Sequence, residues 1–176
     1  MLSKETIKNV IASQREFLNS SEQGTLREKS KEIKIDDSFA LIITGVRRCG
    51  KSTLMNQLLK KQKKGYYLNL EDPRLGGFDF SDFNKVESIM NELYGERGVY
   101  FFDEIQNVPE WERFVRYLVD KKKGVVLTGS NASILSKELG TKLTGRHLSI
   151  ELFPFSFWEF LSLKKQEPSI NSFEEY

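Results

Sequence analysis

The residues with the plainest capacity for chemistry form a glycine-bounded run, Gly45-Val46-Arg47-Arg48-Cys49-Gly50-Lys51-Ser52, followed by Thr53. The spacing G-x-x-x-x-G-K-[ST] lets a tight loop turn its backbone N–H groups inward toward phosphate oxygens. Lys51 is spaced to reach the β- and γ-phosphates, and the Ser52 hydroxyl to take one position on Mg²⁺. Thr53 can hydrogen-bond a phosphate further back. The candidate cradle for ATP is thus Gly45, Val46, Arg47, Arg48, Cys49, Gly50, Lys51, Ser52 and Thr53. Arg47 and Arg48 either touch phosphate or face solvent. Cys49 reads as a small residue filling the loop; the alternative is a redox-sensitive thiol whose pKa the cationic loop lowers.

A phosphate loop with magnesium needs a carboxylate at a neighbouring strand end, and Asp103 supplies it after four apolar residues, Val99 to Phe102. It would hold the metal, commonly through water. Glu104 points elsewhere, because successive strand side chains alternate. It is therefore the candidate to orient and deprotonate an attacking water. P-loop kinases and GTPases generally lack this neighbouring glutamate, so it favours hydrolysis over phosphoryl transfer to a small molecule. Ser130-Asn131 follows the next apolar run, where a small polar side chain can meet the γ-phosphate or the attacking water. Asn131 is preferred for that role, and the other residue for capping a helix. Arg146 carries a guanidinium able to stabilise transition-state charge in its own subunit or a neighbour; a surface salt bridge is the competing reading. The catalytic candidates are Glu104, Lys51, Asn131 and Arg146, and the metal candidates Ser52 and Asp103.

Regular elements must hold these groups. Residues 39–44 form an uninterrupted apolar run into Gly45, as in strands buried on both faces of a parallel sheet. Residues 51–63 carry Leu54, Met55, Leu58 and Leu59 at helical spacing. Further strands are expected at 66–70, 99–102, 125–128 and 147–152, and helices at 83–94, 109–120 and 132–139. Pro109 suits a first helical turn. Residues 3–19 present an amphipathic helix, and 20–34 a polar loop or frayed linker. The alternation predicts an α/β fold with a parallel sheet covered on both faces. Its ligands bind beyond the carboxyl ends of the strands, where the candidate residues fall.

Bulk properties remove other classes. The chain has 176 residues, 39% hydrophobic and 30% charged, enough for one globular core. No stretch approaches the roughly 18–20 uncharged apolar residues of a membrane span, and the first residues lack an apolar signal core. One cysteine precludes an internal disulfide and suits a cytoplasmic location, while one histidine removes histidine-rich metal sites. A net charge of +2 is too small to argue for nucleic acid. The lysine runs 60–64 and 121–123 suit helix ends, with DNA contact the less favoured reading. The aromatic segment 153–161, with Trp111, reads as core, unless it meets another surface.

Taken together, 44–54, 68–74, 102–111, 128–132, 143–146 and 152–160 resemble the ATPase domain of prokaryotic AAA-superfamily proteins that carry a C-terminal domain after it. The resemblance covers roughly 38–162. It implies the three-layer α/β/α fold of P-loop NTPases, with a mainly parallel five-stranded sheet ordered 5-1-4-3-2. It makes Lys51 the Walker A lysine, Asp103 the Walker B carboxylate and Asn131 the sensor-1 residue. The expected organisation is an N-terminal helix and linker at 1–37, the ATPase domain at 38–162, and a polar tail at 163–176 that begins a further C-terminal region. The implied function is ATP hydrolysis driving a conformational change in a partner or in that region. The alternative is a nucleotide-gated regulatory module with negligible turnover. Expected partners are ATP or ADP, further copies of the chain and a protein of unknown kind; DNA stays open, and no membrane is expected.

Overall fold

The computed structural model describes residues 1–129 and 143–176. Its strands are β1 (Ala40–Thr44), β2 (Gly65–Asn69), β3 (Val99–Asp103), β4 (Val125–Thr128) and β5 (His147–Glu151). The helices are α1 (Lys4–Ser20), α2 (Lys29–Glu32), α3 (Lys51–Lys60), α4 (Phe83–Tyr94), α5 (Trp111–Asp120), α6 (Phe157–Lys164) and α7 (Ile170–Glu175). Every strand pair is parallel, in the order β2-β3-β4-β1-β5. Taken from the other edge this is the expected 5-1-4-3-2.

The period of two divides β1 to β4 between two cores. Leu41, Ile43, Tyr67, Phe101 and Val126 face one layer, where Leu54, Met55, Leu58 and Leu59 of α3 cover them. Ala40, Ile42, Leu68, Phe102 and Leu127 face the other, packed with Phe83, Val86 and Ile89 of α4 and Trp111, Phe114 and Leu118 of α5. On β1 to β4 both faces are dry, which is why they read as continuous apolar runs rather than as alternating ones, whereas the edge strand β5 is largely exposed. The same parity puts Asp103, two residues after Phe101, on the α3 side.

The N-terminal helix belongs to this core. Ser3 caps it by accepting the Thr6 N–H at 3.0 Å. Ile7, Val10 and Ile11 join the α4–α5 layer and Leu18 the α3 layer, so α1 passes along the outer strand β2. Full burial of such a side chain contributes about 1.5–3 kcal/mol. An edge strand leaves backbone groups unpaired. Here the Gln14 side chain pairs them: Nε2 donates to the Asn69 carbonyl at 3.1 Å, and Oε1 accepts the Asn69 N–H at 2.8 Å. Arg15 donates to the Gly65 carbonyl at 3.1 Å.

Several expectations need correction. The segment 20–34 is more than a linker: it holds α2 and the buried Arg27. Helix α5 begins at Trp111, not Pro109, because Glu110 before it takes the left-handed conformation (φ 60°). The tail is only partly core: Phe157 packs against Phe173 and Tyr176, but Phe153 and Trp158 are 65% and 61% exposed. The polar end folds as α7, opened by the Ser169 capping box. The helix expected at 132–139 lies outside the described residues.

Candidate nucleotide site

The loop after β1 is built by steric exclusion. Gly45 has φ 141°, and a Cβ there would collide with the Leu152 carbonyl and sit 2.9 Å from Cys49 Sγ. Gly50 has φ 94° and caps α3, whose N-terminal N–H groups and dipole favour an anion. Lys51 is 5% exposed and folds back over the loop, its Nζ donating to the carbonyls of Gly45 at 3.1 Å and Val46 at 3.0 Å. Val46, Arg47 and Arg48 are exposed, and Cys49 is buried against the loop. A cleft of about 290 Å³ is lined by Arg47, Arg48, Gly50, Lys51, Ser52, Thr53 and Glu104. The structure thus brings the loop and Glu104 to one opening.

Asp103 is 3% exposed. Its Oδ2 accepts the Tyr67 phenol at 3.1 Å, and its Oδ1 accepts the Thr128 hydroxyl. Burial, then the adjacent Asp103 charge, raises the Tyr67 pKa far above the ordinary range, so the phenol remains a donor. The Thr128 oxygen also accepts the Glu104 N–H at 3.0 Å. One buried hydroxyl thereby joins the two acidic residues. Glu104 adopts the left-handed conformation (φ 54°, ψ 50°), which ends β3 and redirects its side chain, and Gln106 Nε2 donates to its Oε2 at 2.5 Å.

Asp103 and Ser52 line one wall system of a larger cavity of about 800 Å³. Two hard oxygen donors facing one space fit magnesium, which keeps waters and substrate phosphates as its remaining ligands. Among the described residues, no group of three or more His, Cys, Asp or Glu is arranged to hold a metal, so phosphate and water would have to complete the shell.

Arg146 corrects an expectation. Its carbonyl accepts the Ala40 N–H at 2.9 Å, at the start of β1, while the phosphate loop follows Thr44 at the other end. A five-residue strand separates the two by roughly 17 Å. Its guanidinium pairs with Asp120 at the end of α5. A contact with phosphate in its own subunit is therefore not formed, and the surface ion pair is what the geometry carries. Ser130 and Asn131 lie outside the described residues.

Sequence reasoning passed over Thr128, Tyr67, Gln106 and Arg27. Thr128 had a signal, a hydroxyl closing an apolar strand beside the acidic one. Arg27 had none. It is 2% exposed and donates through Nε to Glu159 at 2.9 Å, through Nη2 to the Phe153 carbonyl at 2.8 Å, and through Nη1 to the Cys49 carbonyl. A single guanidinium ties the phosphate loop to α6.

A parallel sheet in this order, with a glycine-bounded loop between its first strand and helix, defines the P-loop NTPase fold. Within that fold, the chain belongs to the AAA domain family, whose model matches residues 37–161. Membership supports nucleotide binding as its general activity. It is 39% identical over 135 residues to an uncharacterized protein of Methanocaldococcus jannaschii, covering 76% of this chain and 30% of that one. An uncharacterized protein of Haemophilus influenzae is 38% identical over 138 residues, 73% of this chain and 34% of its own length. The chain spans about a third of the length of these relatives. Among solved structures, that of C. elegans PCH-2 aligns with a TM-score of 0.47 at 19% identity, over 90% of this chain and 43% of that one.

Proposed function

We propose that this domain binds ATP with Mg²⁺ and hydrolyses it, using the change to move a partner or a further part of its own polypeptide. The observation that carries the reading is the single opening shared by the phosphate loop and Glu104. Backbone N–H groups of Gly45 to Thr53 bind the phosphates. Lys51 leaves the Gly45 and Val46 carbonyls for the β- and γ-oxygens, exchanging two neutral acceptors for charged ones. Ser52 and Asp103 hold Mg²⁺, which neutralises charge on the phosphates when bound. Glu104 orients the water and takes its proton. Asn131 is proposed to report the γ-phosphate.

Phosphate release from ATP tests this. Glu104→Gln should lower turnover by about 10²–10⁴-fold while ATP binding persists. Equal turnover in that variant would remove Glu104 from the mechanism.

A second reading, a nucleotide-gated module with negligible turnover, draws on one contact: the Gln106 amide already engages the Glu104 carboxylate. It predicts tight ATP–Mg²⁺ binding with a single turnover at most, even with DNA or a protein partner supplied.

A further inference from the structure

We infer that Arg27 is a positioning residue for nucleotide binding: its guanidinium, seated behind the phosphate loop, aims the Gly50 N–H at the phosphates. The inference rests on the nucleotide-binding part of the proposed function and does not depend on hydrolysis.

The Cys49–Gly50 peptide is trans and planar, so the Cys49 carbonyl and the Gly50 N–H point in opposite directions. Arg27, itself buried, donates to that carbonyl through Nη1. The Gly50 N–H is thereby turned away from the guanidinium, toward the cleft that Gly50 lines with Lys51, Ser52 and Glu104. A charged donor on the carbonyl also polarises the peptide, which strengthens the N–H as a donor. The fit is close: a Cβ at residue 50 would sit 2.7 Å from Nη1.

Arg27 is held from several sides. Its backbone N–H donates to Gln57 Oε1 of α3 at 3.0 Å, its Nε to Glu159 at 2.9 Å and its Nη2 to the Phe153 carbonyl at 2.8 Å. The guanidinium also lies 5.1 Å from the centre of the Phe155 ring. Leu152, next to Phe153, fixes the other end of the loop. Its N–H donates to the Thr44 carbonyl at 2.8 Å, and its carbonyl fills the space a Gly45 Cβ would need. Residues 152–153 therefore brace the first loop glycine directly and the second through Arg27. A loop set before the ligand arrives loses less free energy to ordering on binding.

The test is calorimetric titration with ATP–Mg²⁺, at a temperature where circular dichroism shows each variant folded, together with the Gly50 amide signal. The chain has one cysteine, so ¹³C-carbonyl cysteine with ¹⁵N-glycine selects that amide alone. Arg27→Lys keeps the charge without the planar fork. It should weaken ATP about tenfold, the worth of one hydrogen bond to a charged group, and shrink the Gly50 amide shift on ATP binding. If Arg27→Lys does not fold, Arg27→Met with Glu159→Gln removes both buried charges and should show the same two losses. Phe114→Leu, in the core on the other face of the sheet, should lower stability with ATP affinity within about twofold. Wild-type affinity and amide shift in the Arg27 variant overturn the inference and leave nucleotide binding standing. An equal loss of affinity in Phe114→Leu also overturns it, since affinity would then merely follow stability. A wild-type protein that does not bind ATP–Mg²⁺ overturns the nucleotide reading and this inference together.

Discussion

Arg27 Nε donates to Glu159 Oε1 at 2.9 Å, and both side chains are almost sealed from solvent, at 3% and 5% exposure. The pair joins a segment between α1 and β1 to the helix after β5, a separation of 132 residues in the chain. Glu159 is otherwise satisfied, accepting the N–H groups of Glu28 at 2.8 Å and Ser156 at 2.9 Å. Breaking one side of such a pair strands a buried charge, at a cost of about 3–5 kcal/mol. Arg27→Met should lower stability in urea denaturation by that amount. Arg27→Lys should rescue little, because an ammonium cannot span Glu159 and two carbonyls with a planar fork. A loss below about 1 kcal/mol would mean that the pair is solvated.

The same pair sets an acid limit. Burial alone raises the Glu159 pKa, but the hydrogen bonds from Arg27 and the backbone outweigh it, so the net shift is downward. A depressed folded-state pKa adds stability that is complete above the unfolded value, near 4.3, and disappears as pH falls through the folded one. Asp72 acts in the same direction: the Arg74 hydrogen bonds hold its carboxyl well below the usual range, although Arg74 is exposed and its part is screened. Melting temperature should be flat from neutral pH to about pH 5 and then fall. Glu159→Gln should flatten the fall, and an unchanged slope would exclude Glu159 as its source.

Thr128 serves two acidic neighbours with one hydroxyl. Thr128→Val should leave the Glu104 N–H and Asp103 Oδ1 each short of a partner, at about 1–3 kcal/mol per group. Thr128→Ser should restore most of it. Denaturation compares the three proteins, and Val matching wild type would show that water replaces the hydroxyl.

Gln106 is read as a positioning residue for Glu104. Gln106→Leu should reduce ATP turnover about 10- to 100-fold through lost orientation, with ATP affinity within about twofold. A change in affinity with kcat intact would assign Gln106 to binding instead.

Gly45→Ala tests the loop geometry. At φ 141°, with the Leu152 carbonyl in the path of a Cβ, the strain should reach about 1–3 kcal/mol, and ATP binding should weaken with it. Calorimetry of ATP binding decides; wild-type affinity would show that the loop relaxes.

Much of this was legible in the chain itself. Residues 39–44, 99–102 and 125–128 are apolar runs with no polar alternation, because both faces of the sheet are dry at these strands. Gly45, Gly50, Lys51 and Ser52 are spaced along one turn of backbone, and Asp103-Glu104 closes a strand, so local sequence suffices to find them. The helix at 83–94 matches its periodicity at both ends. Arg146 misled because proximity to a strand in sequence does not say which end of the sheet it occupies. Parallel register places it beside Ala40, a full strand away from the loop.

What the sequence determined by itself, then, is the set of local conformations and the groups capable of chemistry, since helical and strand periodicities and a glycine-bounded loop are properties of neighbours in the chain. What only the tertiary structure decided are the relationships between distant residues. Thr128 joins Asp103 to Glu104 because β4 lies beside β3. Arg27 holds the Cys49 carbonyl and Glu159 because a polar segment crosses the loop. A hydrogen bond depends on distance in space, and hydrophobic periodicity carries no record of which distant side chains the packing will bring within reach.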